Sequence, residues 1–162
     1  MIIVSDSTIL IGLAKVDRLD LLREAFYEIY VPEEVFKEVT DRGIDKPGAQ
    51  DIRKSAWIKV RTVKDRTQVN LLMASLDKGE AEVLALSKEM EAELVLLDEE
   101  KARKSAVIAG FNVVGLLGNL VLAKKLELLD EIKPLIEELG RKKFRIIDVI
   151  IAEALKQAGE RF

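Results

Sequence analysis

Short apolar runs rich in β-branched residues recur along this chain with helical patterns between them, and that alternation constrains its fold more than any other feature. Met1 to Val4, Ile29 to Val31, Trp57 to Arg61, Leu94 to Leu97 and Phe111 to Val114 read as strands. Met1 to Val4 and Leu94 to Leu97 lack polar alternation, as strands buried on both faces do. Between the runs, apolar residues recur at helical spacing. One helix starts at Asp6-Ser7-Thr8 and carries Ile9, Leu10, Leu13 and Ala14; others cover Leu19 to Phe26, Val69 to Leu76, Asp77 to Met90 and Glu99 to Ile108. Pro32 suits the first position of a helix carrying Val35, Phe36 and Val39, where its missing N–H costs nothing. Gly43 to Gly48 reads as a loop, followed by a short helix near Ala49 to Lys54. Strands alternating with helices predict an α/β fold, a parallel sheet with helices on both faces.

At 162 residues the chain fits a single domain, 1–162. Beyond residue 115 the pattern is helical, roughly Leu116 to Lys125, Asp130 to Leu139 and Ile146 to Ala158. This part, about 116–162, is expected to extend the same domain as a cap or an oligomer surface. The apolar helix at Leu116, Leu117, Leu120 and Val121 is expected in the core.

Two counts narrow the chemistry. The chain has 0 His and 0 Cys, which excludes His-dependent triads, thiol nucleophiles and His- or Cys-based metal sites. An enzyme built from these residues must use carboxylates, hydroxyls, Lys and Arg, and oxygen ligands select hard cations such as Mg²⁺ or Mn²⁺. The formal net charge of −3 gives no global attraction to nucleic acid, so any such contact needs a local basic patch or a metal. No apolar run reaches the ~18 residues of a membrane span. Asp6 closes the first apolar run too early for a signal peptide. A cytoplasmic location is expected.

Ligands of open α/β sheets bind beyond the carboxyl ends of the strands. Asp6 and Asp98 follow the first and fourth strand runs. Each also precedes a helix and suits an N-cap. Glu80 heads the stripe of Val83, Leu84 and Ser87, with Glu82 facing the opposite way; it also completes a capping box with Asp77. Glu38 flanks the buried arc of its helix, Glu34 lies further round and Glu33 faces solvent. Glu38 is therefore the best candidate of the three, against the reading of a solvated helix face. Carboxylates gathered in one crevice repel, and a divalent cation relieves that repulsion.

The order Asp6, Glu38, Glu80, Asp98 resembles the acidic quartet of PIN domains. The resemblance rests on four motifs: Val-Ser-Asp-Ser-Thr at Val4–Thr8, Val-Pro-Glu-Glu-Val at Val31–Val35, Leu-Asp-Lys-Gly-Glu-Ala-Glu at Leu76–Glu82, and Leu-Leu-Asp-Glu at Leu96–Glu99. It spans Ile2 to about Gly159. It implies a three-layer α/β/α fold whose sheet of about five strands runs 3-2-1-4-5. It also implies Mg²⁺- or Mn²⁺-dependent hydrolysis of phosphodiesters, usually in RNA. Many relatives are toxins of toxin–antitoxin pairs, so an antitoxin protein and a homodimer or higher homo-oligomer are implied partners. By position, Asp6, Glu38, Glu80 and Asp98 become the catalytic, metal-binding carboxylates, with Ser7 or Thr8 orienting Asp6 through a hydroxyl. Glu80 stands where many PIN toxins have Asp, and Glu99 is a further metal-ligand candidate.

Arg103 is a candidate phosphate contact, against a solvated helix surface. Arg141-Lys142-Lys143-Phe144-Arg145 is the dense basic patch, either an RNA-backbone contact or a solvated connector. A catalytically inactive module of the same fold, binding RNA or protein, is the alternative function. An aspartyl phosphotransferase is disfavoured because Thr8 stands where a second Asp is expected. No Gly-rich turn follows the first strand, which argues against a dinucleotide site.

Overall fold

The computed structural model describes residues 1–41 and 48–162. Most of the loop expected at Gly43 to Gly48 lies outside the described residues. Five parallel strands form the sheet: β1 (Ile3–Ser5), β2 (Ile29–Pro32), β3 (Ile58–Arg61), β4 (Leu94–Leu96) and β5 (Val113–Val114). Their order is β3-β2-β1-β4-β5, and helices flank the sheet. Val4 pairs with Tyr30 on one side and Val95 on the other. β1 and β4 are thus central, and Ile3, Val4, Val95 and Leu96 are fully buried. The helices are α1 (Ser7–Lys15), α2 (Asp20–Phe26), α3 (Glu33–Val39), α4 (Ala49–Lys54), α5 (Arg66–Leu72), α6 (Lys78–Glu89), α7 (Glu100–Ile108), α8 (Leu116–Lys125), α9 (Lys133–Arg141) and α10 (Asp148–Gln157). Leu116, Leu117, Leu120 and Val121 are buried, as expected for α8. Among the described residues no helix is long and apolar enough to cross a membrane.

Several boundaries depart from expectation for identifiable reasons. Pro32 ends β2 and is the N-cap of α3, not its first residue. The fifth helix starts earlier and ends at Leu72, because the Asp65 side chain accepts from Gln68 N (3.0 Å) and fixes the start. Glu82 does not face away from the interior. It is 3% exposed, within the unbroken buried run Ala81–Ser87 of α6. This helix packs on the sheet and also against α3 and α5, so it has more than one buried face. Glu34, expected further round α3, is buried as well.

Glu82 belongs to a recurring device. Helices α3, α8 and α9 have Pro32, Gly115 and Ile132 as N-caps, none of which makes a side-chain cap. An acid from elsewhere in the chain supplies each missing acceptor. Glu82 accepts from Glu34 N (3.2 Å), Asp98 from Leu116 N (3.0 Å), and Glu160 from Ile132 N (2.8 Å) and Lys133 N (3.0 Å). Negative charge at a helix N-terminus satisfies orphan N–H groups and complements the helix dipole. Glu160 also pairs with Lys124 at 2.9 Å and so ties the chain end to α8 and α9. Glu160→Ala is expected to cost about 1–3 kcal/mol by orphaning these donors, read as a shifted urea midpoint.

Candidate functional site

The C-terminal ends of β1 and β4 place two carboxylates side by side. Asp6 leaves β1 with its N–H donating to Leu96 O (2.9 Å), so the chain turns against β4. Its side chain is 4% exposed and fully engaged: Oδ1 accepts from Ile9 N (3.0 Å), capping α1, and Oδ2 accepts from Asp98 N (3.2 Å). The cap and the strand-end position therefore coexist at Asp6. At Asp98 they do not. Glu99 is the N-cap of α7, accepting from Ala102 N at 2.8 Å, while Asp98 turns to α8.

Glu38 and Glu80 approach from the other side. Ser7, expected to orient Asp6, donates instead to Glu38 Oε2 at 2.9 Å. The Glu38 carboxylate packs against Gly79, where a Cβ would crowd Oε1 and push it aside. Glu80 forms the expected capping box: it donates its N–H to Asp77 Oδ1 (2.8 Å) and accepts from Asp77 N (3.1 Å). Glu38 thus sits between Ser7, beside Asp6, and Gly79, beside Glu80.

Cationic groups line the same end. Lys143, Phe144 and Arg145 share a surface cleft of about 390 Å³ with Thr8, Asp98 and Glu99. The basic segment therefore lies beside Asp98 and Glu99. The Arg103 guanidinium crowds the same glycine as Asp98. A Cβ on Gly115 would meet Arg103 Nη1 at 2.9 Å and Asp98 Oδ1 at 3.0 Å. Sequence reasoning missed Gly79 and Gly115. For Gly79 the available signal was a glycine in the first turn of a helix next to an acid, where it lowers helix propensity by about 1 kcal/mol; Gly115, between Val114 and Leu116, gave none.

Electrostatics mark Asp6 apart. Burial pushes its carboxyl from the ordinary 3.8 up to about 7; hydrogen bonds from Ile9 N and Asp98 N oppose the rise, and repulsion by Asp98 and Glu80 adds to it. Burial also raises Glu80, opposed by its bond from Asp77 N and helped by repulsion from Asp77 and Glu99. The folded protein holds the Asp6 proton more tightly than the unfolded chain. Its stabilising contribution is complete below about pH 4 and is lost as pH rises through about 7. In metal-free buffer, wild-type melting temperature is expected to fall between pH 5 and 8 by several degrees more than that of Asp6→Asn.

Among the described residues, no three carboxylates close around a common point at metal-ligand spacing. The donor chemistry nonetheless fits a hard cation. The site offers carboxylate oxygens, and its most buried carboxyl is repelled by Asp98 and Glu80, a repulsion that a cation relieves.

Among curated proteins nothing matches the chain. A family model described as PIN domain matches residues 2–160. PIN domains are typically nucleases. The match covers nearly the whole chain, and the sheet order agrees with it. The protein belongs to the PIN-domain family.

Proposed function

We propose that this PIN domain is a divalent-metal-dependent ribonuclease that hydrolyses phosphodiester bonds in single-stranded RNA. One observation carries the reading: Asp6, buried at the end of β1, is hydrogen-bonded to the Asp98 backbone and lies within electrostatic reach of Asp98 and Glu80. Burying a repelled carboxylate is costly, and a divalent cation relieves the repulsion. In this reading Asp6 and Asp98, with Glu38 and Glu80, hold Mg²⁺ or Mn²⁺, and Glu99 is a further donor at the rim. When bound, the ion supplies Lewis-acid polarisation of the phosphodiester.

The chain's own groups do the rest. Ile9 N and Asp98 N fix both oxygens of Asp6, so its orientation is set before substrate arrives. Ser7 does the same for Glu38. In the same reading Lys143 and Arg145, which line the cleft beside Asp98, bind an entering phosphate, and Arg103 binds one on the α7 side.

A second reading, a catalytically inactive module that binds RNA or protein, draws on the open spacing of the carboxylates. Incubation of purified protein with varied single-stranded RNAs separates the two. Cleavage with Mn²⁺ that stops with EDTA is expected; RNA bound but left intact favours the inactive module.

A further inference from the structure

We propose that the outer face of the β3 edge is an accessory anchoring site for single-stranded nucleic acid. β3 is an edge strand, and its alternation points Ile58 inward while Trp57, Lys59 and Arg61 share the other face. Ile58 is 6% exposed, Trp57 and Lys59 are half-buried, and Arg61 is exposed. On β2, Tyr30 pairs in register with Lys59, and the Arg61 guanidinium lies 5.1 Å from the Tyr30 ring centre. Aromatic and cationic side chains thus alternate along one stripe. From Trp57 to Arg61 it runs about 13 Å at ~3.3 Å per residue. Arg61 lies level with Pro32, where α3 begins and leads toward Glu38.

At the stripe's other end Trp57 and Lys59 line a cleft of about 540 Å³ with Arg23, Tyr27 and Lys54. The acid lining the same cleft, Glu28, accepts the Tyr30 hydroxyl at 3.0 Å. Tyr27 is 84% exposed and sits at φ 68, ψ −46, with Glu28 N donating to Phe26 O at 2.8 Å. That is the γ-turn of the rare, strained kind. A bulky ring held out to solvent by a strained backbone is a motive to look for a ligand.

Charge and rings together select the occupant. Arg23, Lys54, Lys59 and Arg61 form a local cationic patch on a chain of net charge −3. The exposed Tyr27 ring and the half-buried Trp57 offer stacking surface to bases, and a duplex keeps its bases stacked and out of reach. Cations along an edge strand also discourage edge-to-edge pairing, a role that needs neither Trp57 nor Tyr27. The choice of nucleic acid as ligand rests on the nuclease reading, but its test does not.

Trp57 is the single tryptophan, so its emission reports the stripe directly. The full chain is titrated with fluorescein-labelled single-stranded oligothymidylate in EDTA, where no metal-dependent cleavage occurs. Anisotropy should show binding, and Trp57 emission should be quenched with the same midpoint. The double variant Lys59→Glu/Arg61→Glu should bind about tenfold more weakly, with a salt slope smaller by about 2. Lys59→Gln/Arg61→Gln, a milder change at the same surface, should move the same way. Absence of binding, binding without quenching, or unchanged affinity in both double variants overturns the proposal. If the protein cleaves RNA yet shows no quenching, the stripe falls and the nuclease reading stands. The reverse result does the opposite.

Discussion

Asp6→Asn should abolish metal-dependent RNA cleavage, by about a hundredfold or more, in a protein that still folds. A bound cation contributes several kcal/mol of charge stabilisation, and each ~1.4 kcal/mol is a factor of ten in rate. Asparagine keeps the shape but only one acceptor oxygen, and it offers the cation no charge. Its amide nitrogen must then face either Ile9 N or Asp98 N, so one of those two bonds is lost. Removing a buried, repelled charge offsets that loss at neutral pH. Cleavage rates with Mn²⁺, measured beside thermal melts, check both halves. A variant that cleaves at the wild-type rate would remove Asp6 from the chemistry.

The largest stability loss outside the apolar core is expected at Glu82. Glu82→Ala orphans the N–H of Glu34 at the start of α3 and leaves a void in a buried helix. It also frees Arg66, whose guanidinium meets Glu82 Oε2 at 3.1 Å but is 48% exposed and so regains water. The ion pair itself therefore contributes little. An unsatisfied buried donor plus lost packing costs about 2–3 kcal/mol, a fall in melting temperature of roughly 5–10 °C for a domain of this size. Because α3 carries Glu38, the start of α3 should loosen and metal affinity should fall as well. Glu82→Gln keeps an acceptor for Glu34 N and should recover most of the stability. If Glu82→Ala melts with wild type, the cross-chain cap on α3 does not hold that helix.

The pattern of strands and helices was legible because short β-branched runs and helical periodicity are local signals. So was the neighbourhood of Asp6 and Asp98, which follows from two central strands ending at the same level. Glu82 was not legible. A helical wheel assumes one buried face, whereas α6 is enclosed by the sheet, α3 and α5. Its acid earns its place through a partner 48 residues away. Pro32 misled for a related reason: proline suits the first helical turn, but here it finishes a strand and leaves capping to Glu82. The resemblance assigned Ser7 or Thr8 to orient Asp6, yet the Ser7 hydroxyl reaches across to Glu38, 31 residues away. Lys143 and Arg145 stood out as a basic run, but their position beside Asp98 depends on how the C-terminal helices return to the sheet, which no local pattern encodes.

The most direct test is crystallographic. Crystals of the protein soaked in Mn²⁺ and measured for anomalous scattering should show a peak between the Asp6 and Asp98 carboxylates, with Glu38 or Glu80 drawn toward it. A saturating soak that leaves this position without a peak, while Mn²⁺ appears elsewhere on the molecule, would contradict the account.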